Sequence, residues 1–256
     1  MTISPPTSAT PESWSAIISE EFLFQWSTQV RTDVARDPEL VRLMKTAGCH
    51  TVFIGFESVN PRSLSEMKKS QNLEDIRNAI RVVQAAGIHI HGMFVFGFEG
   101  DDWPTVEATV RFAREMKLTS VQLLVLTPLP GSELYQGLRA QERITSFDWD
   151  LYDTHHVVYR PAVFTPFELQ CAQVYGHTRL YALPQVLKKL ATGRLVSAGL
   201  SFYAWKINRD WQKANQAYLR ELAANSRPAG APNPGHLPLP SPAAWTDATR
   251  RPVAAH

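Results

Sequence analysis

A short polar motif ends the apolar run that begins at Thr51. The motif is Gly55-Phe56-Glu57-Ser58. A carboxylate and a hydroxyl at the end of a strand can accept hydrogen bonds from ribose hydroxyls or from an amine. Glu57 would serve equally well as a cap for the next helix or as a partner for a nearby arginine, so its residue type leaves both roles open.

Two further motifs follow later apolar runs. Gly97-Phe98-Glu99-Gly100-Asp101 has glycines that let a backbone approach a flat ligand or adopt positive φ. It has none of the Lys and Ser/Thr of a phosphate-binding loop, so a nucleoside triphosphate site is not expected. Thr127-Pro128-Leu129-Pro130-Gly131-Ser132 predicts a rigid turn that offers backbone groups to a ligand edge. Ordinary structural turns would carry the same residues.

Aromatic and titratable residues cluster between Trp149 and His156. The neighbouring His155 and His156 point to opposite sides of an extended segment, which makes them poor joint metal ligands. One of them could face a cleft as a proton donor or acceptor. The alternative, which we favour, is that both are surface or packing histidines.

The chain contains two cysteines, Cys49 and Cys171, and neither belongs to a closely spaced cluster. Two thiols cannot build a four-cysteine zinc or iron-sulfur site, so no metal site is predicted. A single disulfide is the alternative to two free thiols. We expect buried free thiols, because no signal peptide precedes them.

Composition and charge narrow the protein class. The 256 residues are 44% hydrophobic and 20% charged, which is enough for one sizeable core. A net charge of +2, spread along the chain, does not indicate nucleic acid as a partner. No apolar run approaches the roughly 20 residues that span a bilayer. We therefore expect a soluble cytoplasmic protein with neither nucleic acid nor a membrane as partner.

The elements that would position these motifs alternate along the chain. Strands are predicted at 22–29, 51–56, 88–96 and 120–126 from short runs rich in Val, Ile and Phe. Helices are predicted to begin at Asp37-Pro38, Asn72 and Asp102-Trp103-Pro104. This pattern predicts an α/β fold in which four parallel strands and three helical crossovers form a partial β/α barrel.

Four segments are expected. They are an N-terminal segment (1–20), the partial barrel (21–140), an irregular segment with C-terminal helices (141–224) and a disordered Pro/Ala-rich tail (225–256). A capping box at 165–168 predicts the start of the helical region. Breaks are expected near Pro184 and over 193–199, and a last helix over 205–222.

Taken in order, the motifs resemble the radical S-adenosylmethionine superfamily, and specifically its cobalamin-dependent branch. The resemblance is carried by Trp26–Gln29 with Arg31, Leu43–Cys49, Phe53–Ser58, Gly92–Gly97 with Gly100-Asp101, and Leu126–Ser132 with Leu134-Tyr135. It covers the chain from about Phe22 to about Leu190.

The resemblance implies cofactors and roles. S-adenosylmethionine would bind across the strand ends and be cleaved by a 4Fe-4S cluster to a 5′-deoxyadenosyl radical, and cobalamin-type members often methylate unactivated carbon. By the same resemblance, Glu57 and Ser58 would lie near the ribose or methionine moiety. Adenine would pack against Gly92, Phe94 and Gly97, with backbone contacts from Thr127, Pro128 and Gly131. Weaker expectations place Gln29, Arg31 and His156 near substrate.

One departure from the family bears on the chemistry. The Cys-x-x-x-Cys-x-x-Cys loop has no counterpart here, nor do the first two strands and the cobalamin domain, so we expect a truncated member whose cluster and cobalamin domains lie on a separate chain. The alternative is a non-catalytic remnant or a module that binds a ligand or partner. An intact aldolase-like enzyme is disfavoured, because no lysine or acid/base pair stands at a strand end with the needed partners.

Overall fold

The computed structural model describes residues 25–67 and 72–226. The segment expected at 1–20 and all but the first two residues of the expected tail at 225–256 lie outside the described residues. Among those that are described, no helix has the length and apolar character needed to cross a membrane.

Four parallel strands form one sheet. They are β1 (Trp26–Val30), β2 (Cys49–Glu57), β3 (His89–Phe96) and β4 (Ser120–Val125), hydrogen-bonded in the order β1-β2-β3-β4. The predicted α/β architecture is thereby confirmed. Because the strands are parallel, their carboxyl ends meet at one edge of the sheet.

Helices connect the strands, and most of them begin at a residue whose side chain caps the first turn. They are α1 (Pro38–Thr46), α2 (Pro61–Glu66), α3 (Leu73–Ala85) and α4 (Trp103–Glu115). Asp37, Asn72 and Asp102 accept hydrogen bonds from the first turns of α1, α3 and α4, as the sequence predicts. The short α2 was not predicted. A 3₁₀ turn over Thr32–Arg36 follows β1 and contacts α3.

The two faces of the sheet differ. One face packs on the helices, with Ile54, Phe56, Ile90, Phe94 and Leu123 fully buried in the core. Alternate residues of each strand point to the other face, which we call the open face, and they are only partly buried. It carries Phe53, Gly55 and Glu57 of β2, His89, His91, Met93 and Val95 of β3, and Gln122 of β4. A parallel sheet normally buries both faces, so the open face is where a ligand or further chain can lie.

The outer edge of β4 is closed by one long helix. After α5 (Glu133–Ala140) and an irregular segment, α6 (Pro166–Tyr181) begins at the predicted capping box of Thr165 and Glu168. Gln173, His177 and Tyr181, which we call the edge ladder, bond the backbone of β4 at Leu123 O (3.1 Å), Leu123 N (3.2 Å) and Val121 N (2.6 Å). Four residues of helix advance roughly 6 Å and two of strand roughly 6.6 Å, so His177 and Tyr181 stay in register with Leu123 and Val121.

The last helices differ from the predicted ones. The chain continues as α7 (Leu183–Ala191), α8 (Leu195–Ala214) and α9 (Gln216–Asn225). The predicted break over 193–199 was wrong for residues 195–199, because α8 begins at Leu195 and includes Gly199. A glycine inside a helix costs only about 1 kcal/mol relative to alanine. The prediction of one helix over 205–222 was also wrong, because the helix is interrupted at Asn215. The Asn215 side chain donates to Trp211 O.

Candidate functional site

A cleft with a volume of about 270 Å³ lies at the carboxyl ends of β1 and β2. Its polar lining comes from the two strand ends, the 3₁₀ turn and the first turns of α3: Gln29, Arg31, Thr32, Asp33, Arg36, Glu57, Asp75 and Asn78. Three residues predicted from two separate motifs, Gln29, Arg31 and Glu57, are thereby brought together. Asp75 and Asn78 were missed, because in sequence they read as an ordinary first turn of a helix.

Glu57 holds the most constrained position of the cleft. Its φ is 64°, in a region that non-glycine residues rarely adopt, and the register of β2 against β3 shifts between Gly55 and Glu57. Such a backbone costs of order 1–3 kcal/mol and is found mainly at functional sites. A bulge of this kind re-aims a side chain. A Cβ on Gly55 would lie 2.7 Å from Glu57 Oε1, so the carboxylate folds back over Gly55 on the open face.

The charges of the cleft are mixed. Arg31 is exposed, and its Nε lies 3.5 Å from Asp33 Oδ2. An exposed pair of this kind adds little stability, but Arg31 and Glu57 line the same cleft. The combination of two guanidinium groups, carboxylates and two amide side chains suits a zwitterionic ligand that also carries hydroxyl groups.

Ser58 does not line the cleft. It is 2% exposed, and its Oγ accepts a hydrogen bond from Asn60 N at 3.0 Å. Asn60 in turn caps α2 and donates to Gly100 O at 3.2 Å. Ser58 therefore shapes the turn after β2, from a position next to the cleft.

Gly92 and Phe94 lie on the helix-covered face of β3. A Cβ on Gly92 would meet Leu118 Cδ1 at 2.8 Å, and the Phe94 ring packs against Phe56 with 5.5 Å between centroids. Gly92 has no side chain and the Phe94 ring points into the core, so neither residue places a side chain on the open face. A flat group lying there would meet Met93 and Val95, which strict alternation along β3 would have identified.

Gly97 and Asp101 form a structural anchor after β3. Gly97 has φ of 113°, and the Tyr159 hydroxyl donates to Gly97 O at 2.5 Å. Asp101 is buried and accepts from Gly97 N at 2.9 Å and from Ser63 Oγ at 2.7 Å. Burial raises the pKa of Tyr159. The loop ties β3 to α2 and to the irregular segment.

The segment 127–131 follows β4. Thr127 Oγ1 donates to Val125 O at 3.1 Å, Pro128 is buried, and Gly131 is exposed with φ of 88°. It does not line the cleft. Two strand spacings separate β2 from β4, so this segment lies about 10 Å across the sheet edge from Glu57.

His156 belongs to a packed network away from the cleft. Its Nδ1 lies 3.0 Å from the Asp153 carboxylate and its Nε2 lies 2.9 Å from Asn215 Oδ1. The ring stands edge-on to Tyr218. His156 therefore packs between the irregular segment and the helices α8 and α9.

Comparison with known proteins finds a similarity to one superfamily. The radical SAM superfamily matches residues 7–113. Bacteriochlorophyllide d C-12(1)-methyltransferase of Chlorobaculum tepidum is 32% identical over 138 residues, covering 54% of this chain and 30% of the relative. Residues 7–113 are thus similar to the radical SAM superfamily.

Another relative is named as a cyclase and not as a methyltransferase. The anaerobic magnesium-protoporphyrin IX monomethyl ester cyclase of Cereibacter sphaeroides is 28% identical over 158 residues, covering 61% of this chain and 26% of the relative. The chain therefore spans less than a third of the length of these two curated relatives. The solved structure of the cobalamin-dependent S-adenosylmethionine radical enzyme OxsB shares the fold, with a TM-score of 0.50 at 12% identity over 84% of this chain and 42% of that one.

The thiols of this chain do not fit an iron-sulfur cluster. Cys49 is the first residue of β2, at the end opposite the cleft, and Cys171 lies within α6. Both are buried and free, as predicted. Burial raises the pKa of Cys49 to about 12 and also raises the pKa of Cys171. Within residues 25–67 and 72–226, no group of three His, Cys, Asp or Glu is placed to hold a metal ion.

Proposed function

We propose that this chain provides the adenosyl-binding half of a radical SAM enzyme and works with a separate chain that carries the 4Fe-4S cluster and a cobalamin domain. Methylation of an unactivated carbon in the cytoplasm is the reaction class that we favour. Support comes from the match of residues 7–113 to the radical SAM superfamily and from similarity to curated relatives that are methyltransferases.

The observation that carries the proposal is the strained Glu57 at the end of β2, with its carboxylate over Gly55 and in the same cleft as Arg31. In this proposal the carboxylate accepts hydrogen bonds from both ribose hydroxyls. A carboxylate acceptor makes these bonds roughly twice as strong as neutral ones. Arg31 then lies where it can pair with the carboxylate of the methionine moiety.

The rest of the ligand extends along the sheet edge. The backbone at 127–131 binds the adenine edge, and Met93 and Val95 contact the ring from the open face. Gln29 is exposed at the mouth of the cleft and contacts the substrate. Ser58 and Asn60 act indirectly, by fixing the turn that holds Glu57. None of these residues supplies electrons, so the proposal assigns no reductive step to this chain.

Calorimetric titration of the full chain with S-adenosylmethionine tests the proposal. We expect saturable binding that Glu57→Gln weakens by roughly tenfold or more, because a hydrogen bond to a charged acceptor contributes about 1.5–3 kcal/mol. Glu107→Gln, on the exposed side of α4, is the matched control and should bind as the native chain does. No binding by the native chain, or equal binding by both variants, would overturn the proposal.

A binding module without chemistry is the second candidate, and the unsuitable thiols favour it. Mixing the chain with a cysteine-bearing N-terminal half of a radical SAM relative, loaded with its cluster, separates the two. Formation of 5′-deoxyadenosine that depends on this chain and on Glu57 supports the enzyme half. Binding without product in the same mixture supports the module.

A further inference from the structure

Exposed apolar side chains are concentrated in one part of the molecule. Fourteen large hydrophobic residues are exposed in the described part of the chain, and nine of them lie between Leu183 and Ile207 on α7 and α8. Leu187 is 64% exposed and Tyr203 is 63% exposed. Scattered single exposures need no explanation, but a concentration of this kind marks an interaction surface.

The exposed residues follow helical spacing. On α7 they are Leu183, Leu187 and Leu190, and on α8 the stripe is Val196, Leu200, Tyr203 and Ile207. Steps of three and four residues keep each set on one side of its helix. The inward side of α8 is buried instead through Ser197, Ala198 and Ser201. The hairpin therefore has one side packed on the protein and an apolar stripe on the other.

The same hairpin is strongly cationic. Residues 183–213 contain six Lys and Arg and one acid, Asp210, whereas the whole chain carries a net charge of only +2. Lys189 and Arg194 are turned inward, where they bond Ser201 Oγ and Lys117 O. Lys206 and Lys213 lie on the exposed side of α8 next to the stripe, and neither occurs in an ion pair among the described residues.

We propose that the α7–α8 hairpin docks on the surface of an anionic lipid bilayer. Its apolar stripe enters the boundary between headgroups and acyl chains, and its lysines pair with the headgroups, as in interfacial amphipathic helices. The hairpin lies on the membrane, since neither helix has the character to cross one. A second copy of the chain is a poor occupant, because it would bring a cationic hairpin against a cationic hairpin.

This inference departs from the expectation of no membrane partner, which rested on the lack of an apolar run long enough to span a bilayer. It does not depend on the proposed S-adenosylmethionine site, because the hairpin contributes nothing to the lining of the cleft. Loss of one property would leave the other intact.

Co-sedimentation of the full chain with vesicles tests the proposal. The vesicles are phosphatidylcholine alone or phosphatidylcholine with about a third phosphatidylglycerol, over a range of salt concentrations. Leu200→Glu with Ile207→Glu removes apolar contacts, and Phe147→Glu with Val163→Glu is the control at apolar positions elsewhere that are more exposed. Lys206→Gln with Lys213→Gln removes charge, and Arg111→Gln with Arg139→Gln is its control. Circular dichroism verifies that each variant is folded.

We expect binding to the anionic vesicles that falls with added salt, with each hairpin variant weakening it by roughly tenfold or more and the controls leaving it unchanged. Equal binding to neutral vesicles, or no binding to either, would overturn the proposal. So would self-association in gel filtration that Leu200→Glu with Ile207→Glu abolishes, since a second copy would then occupy the stripe.

Discussion

Glu57 occupies space that exists because residue 55 is a glycine. A Cβ built on Gly55 would stand 2.7 Å from Glu57 Oε1, closer than such atoms approach in proteins. Gly55 does not have a positive φ, so its backbone would accept other residues. The glycine is therefore required by the neighbouring carboxylate.

Gly55→Ala is predicted to act on ligand binding and to spare the fold. The new methyl group displaces the Glu57 carboxylate from the open face, so affinity for S-adenosylmethionine should fall roughly tenfold while the free energy of unfolding changes by less than about 1 kcal/mol. Calorimetric titration and chemical denaturation measure the two quantities.

Gly137→Ala is the matched control, because nothing lies within 4 Å of its added Cβ. Within α5 it should raise the free energy of unfolding by about 0.5–1 kcal/mol and leave affinity unchanged. A Gly55→Ala variant that binds normally would refute the role given to the carboxylate.

Much of the fold could be predicted because the parallel strands have short, continuous apolar runs and clear helix caps. Asp37, Asn72 and Asp102 each began a helix where expected. The C-terminal helices were harder, since their boundaries depend on tertiary contacts. The break at Asn215 coincides with its bond to His156, 59 residues earlier, and no local pattern encodes such a contact.

The site could be predicted only in part. Gln29 and Arg31, which only the resemblance singled out, lie in one cleft with Glu57, because parallel strands end at a common edge. The face of each residue was the weaker inference. Phe94 was read as part of a ligand platform, but its ring lies in the core against Phe56 and Phe112. The resemblance identified the strand. Which of its side chains a ligand can reach depends on how they alternate between the two faces of the sheet.

Gly97→Ala is predicted to be severely destabilising. The added Cβ would collide with the Tyr159 hydroxyl, and the residue would be held at φ of 113°. We expect a loss of about 3 kcal/mol or more in the free energy of unfolding by urea denaturation. Tyr159→Phe, which removes only the hydroxyl, should cost about 1–2 kcal/mol.

The double variant distinguishes the two causes. If the collision matters, Gly97→Ala should cost less in the Tyr159→Phe background than in the native one. Strictly additive losses would show that backbone strain at residue 97 accounts for the whole effect.

The two thiols are predicted to be inert in the folded chain. With the pKa of Cys49 raised to about 12, its reactive thiolate is about a thousandfold scarcer than in an exposed cysteine. Ellman's reagent should therefore react slowly with the native chain and promptly after denaturation, and iron, sulfide and reductant should produce no 4Fe-4S absorption band. A stable band from this chain alone would contradict the proposed division between two chains.

The edge ladder is predicted to make stability depend on pH through His177. Its Nε2 accepts from Leu123 N, and burial lowers the pKa of His177 to about 3, so the folded chain keeps this ring neutral. The unfolded chain takes up the proton near pH 6.5. Stability is therefore fully present above about pH 6.5 and falls by about 1.4 kcal/mol per pH unit as the pH drops toward 3.

Urea denaturation between about pH 6.5 and pH 5 measures this slope, before most carboxylates titrate. Burial also lowers the pKa of His89, His91 and His155, which add to the slope in the same direction. His177→Gln should lower the slope of stability against pH by about 1.4 kcal/mol per pH unit, the contribution of one proton. Gln173→Ala removes the adjacent bond to Leu123 O and should lower stability while leaving the contribution of His177 to the slope in place. An unchanged slope in His177→Gln would mean that this histidine is not held neutral against β4.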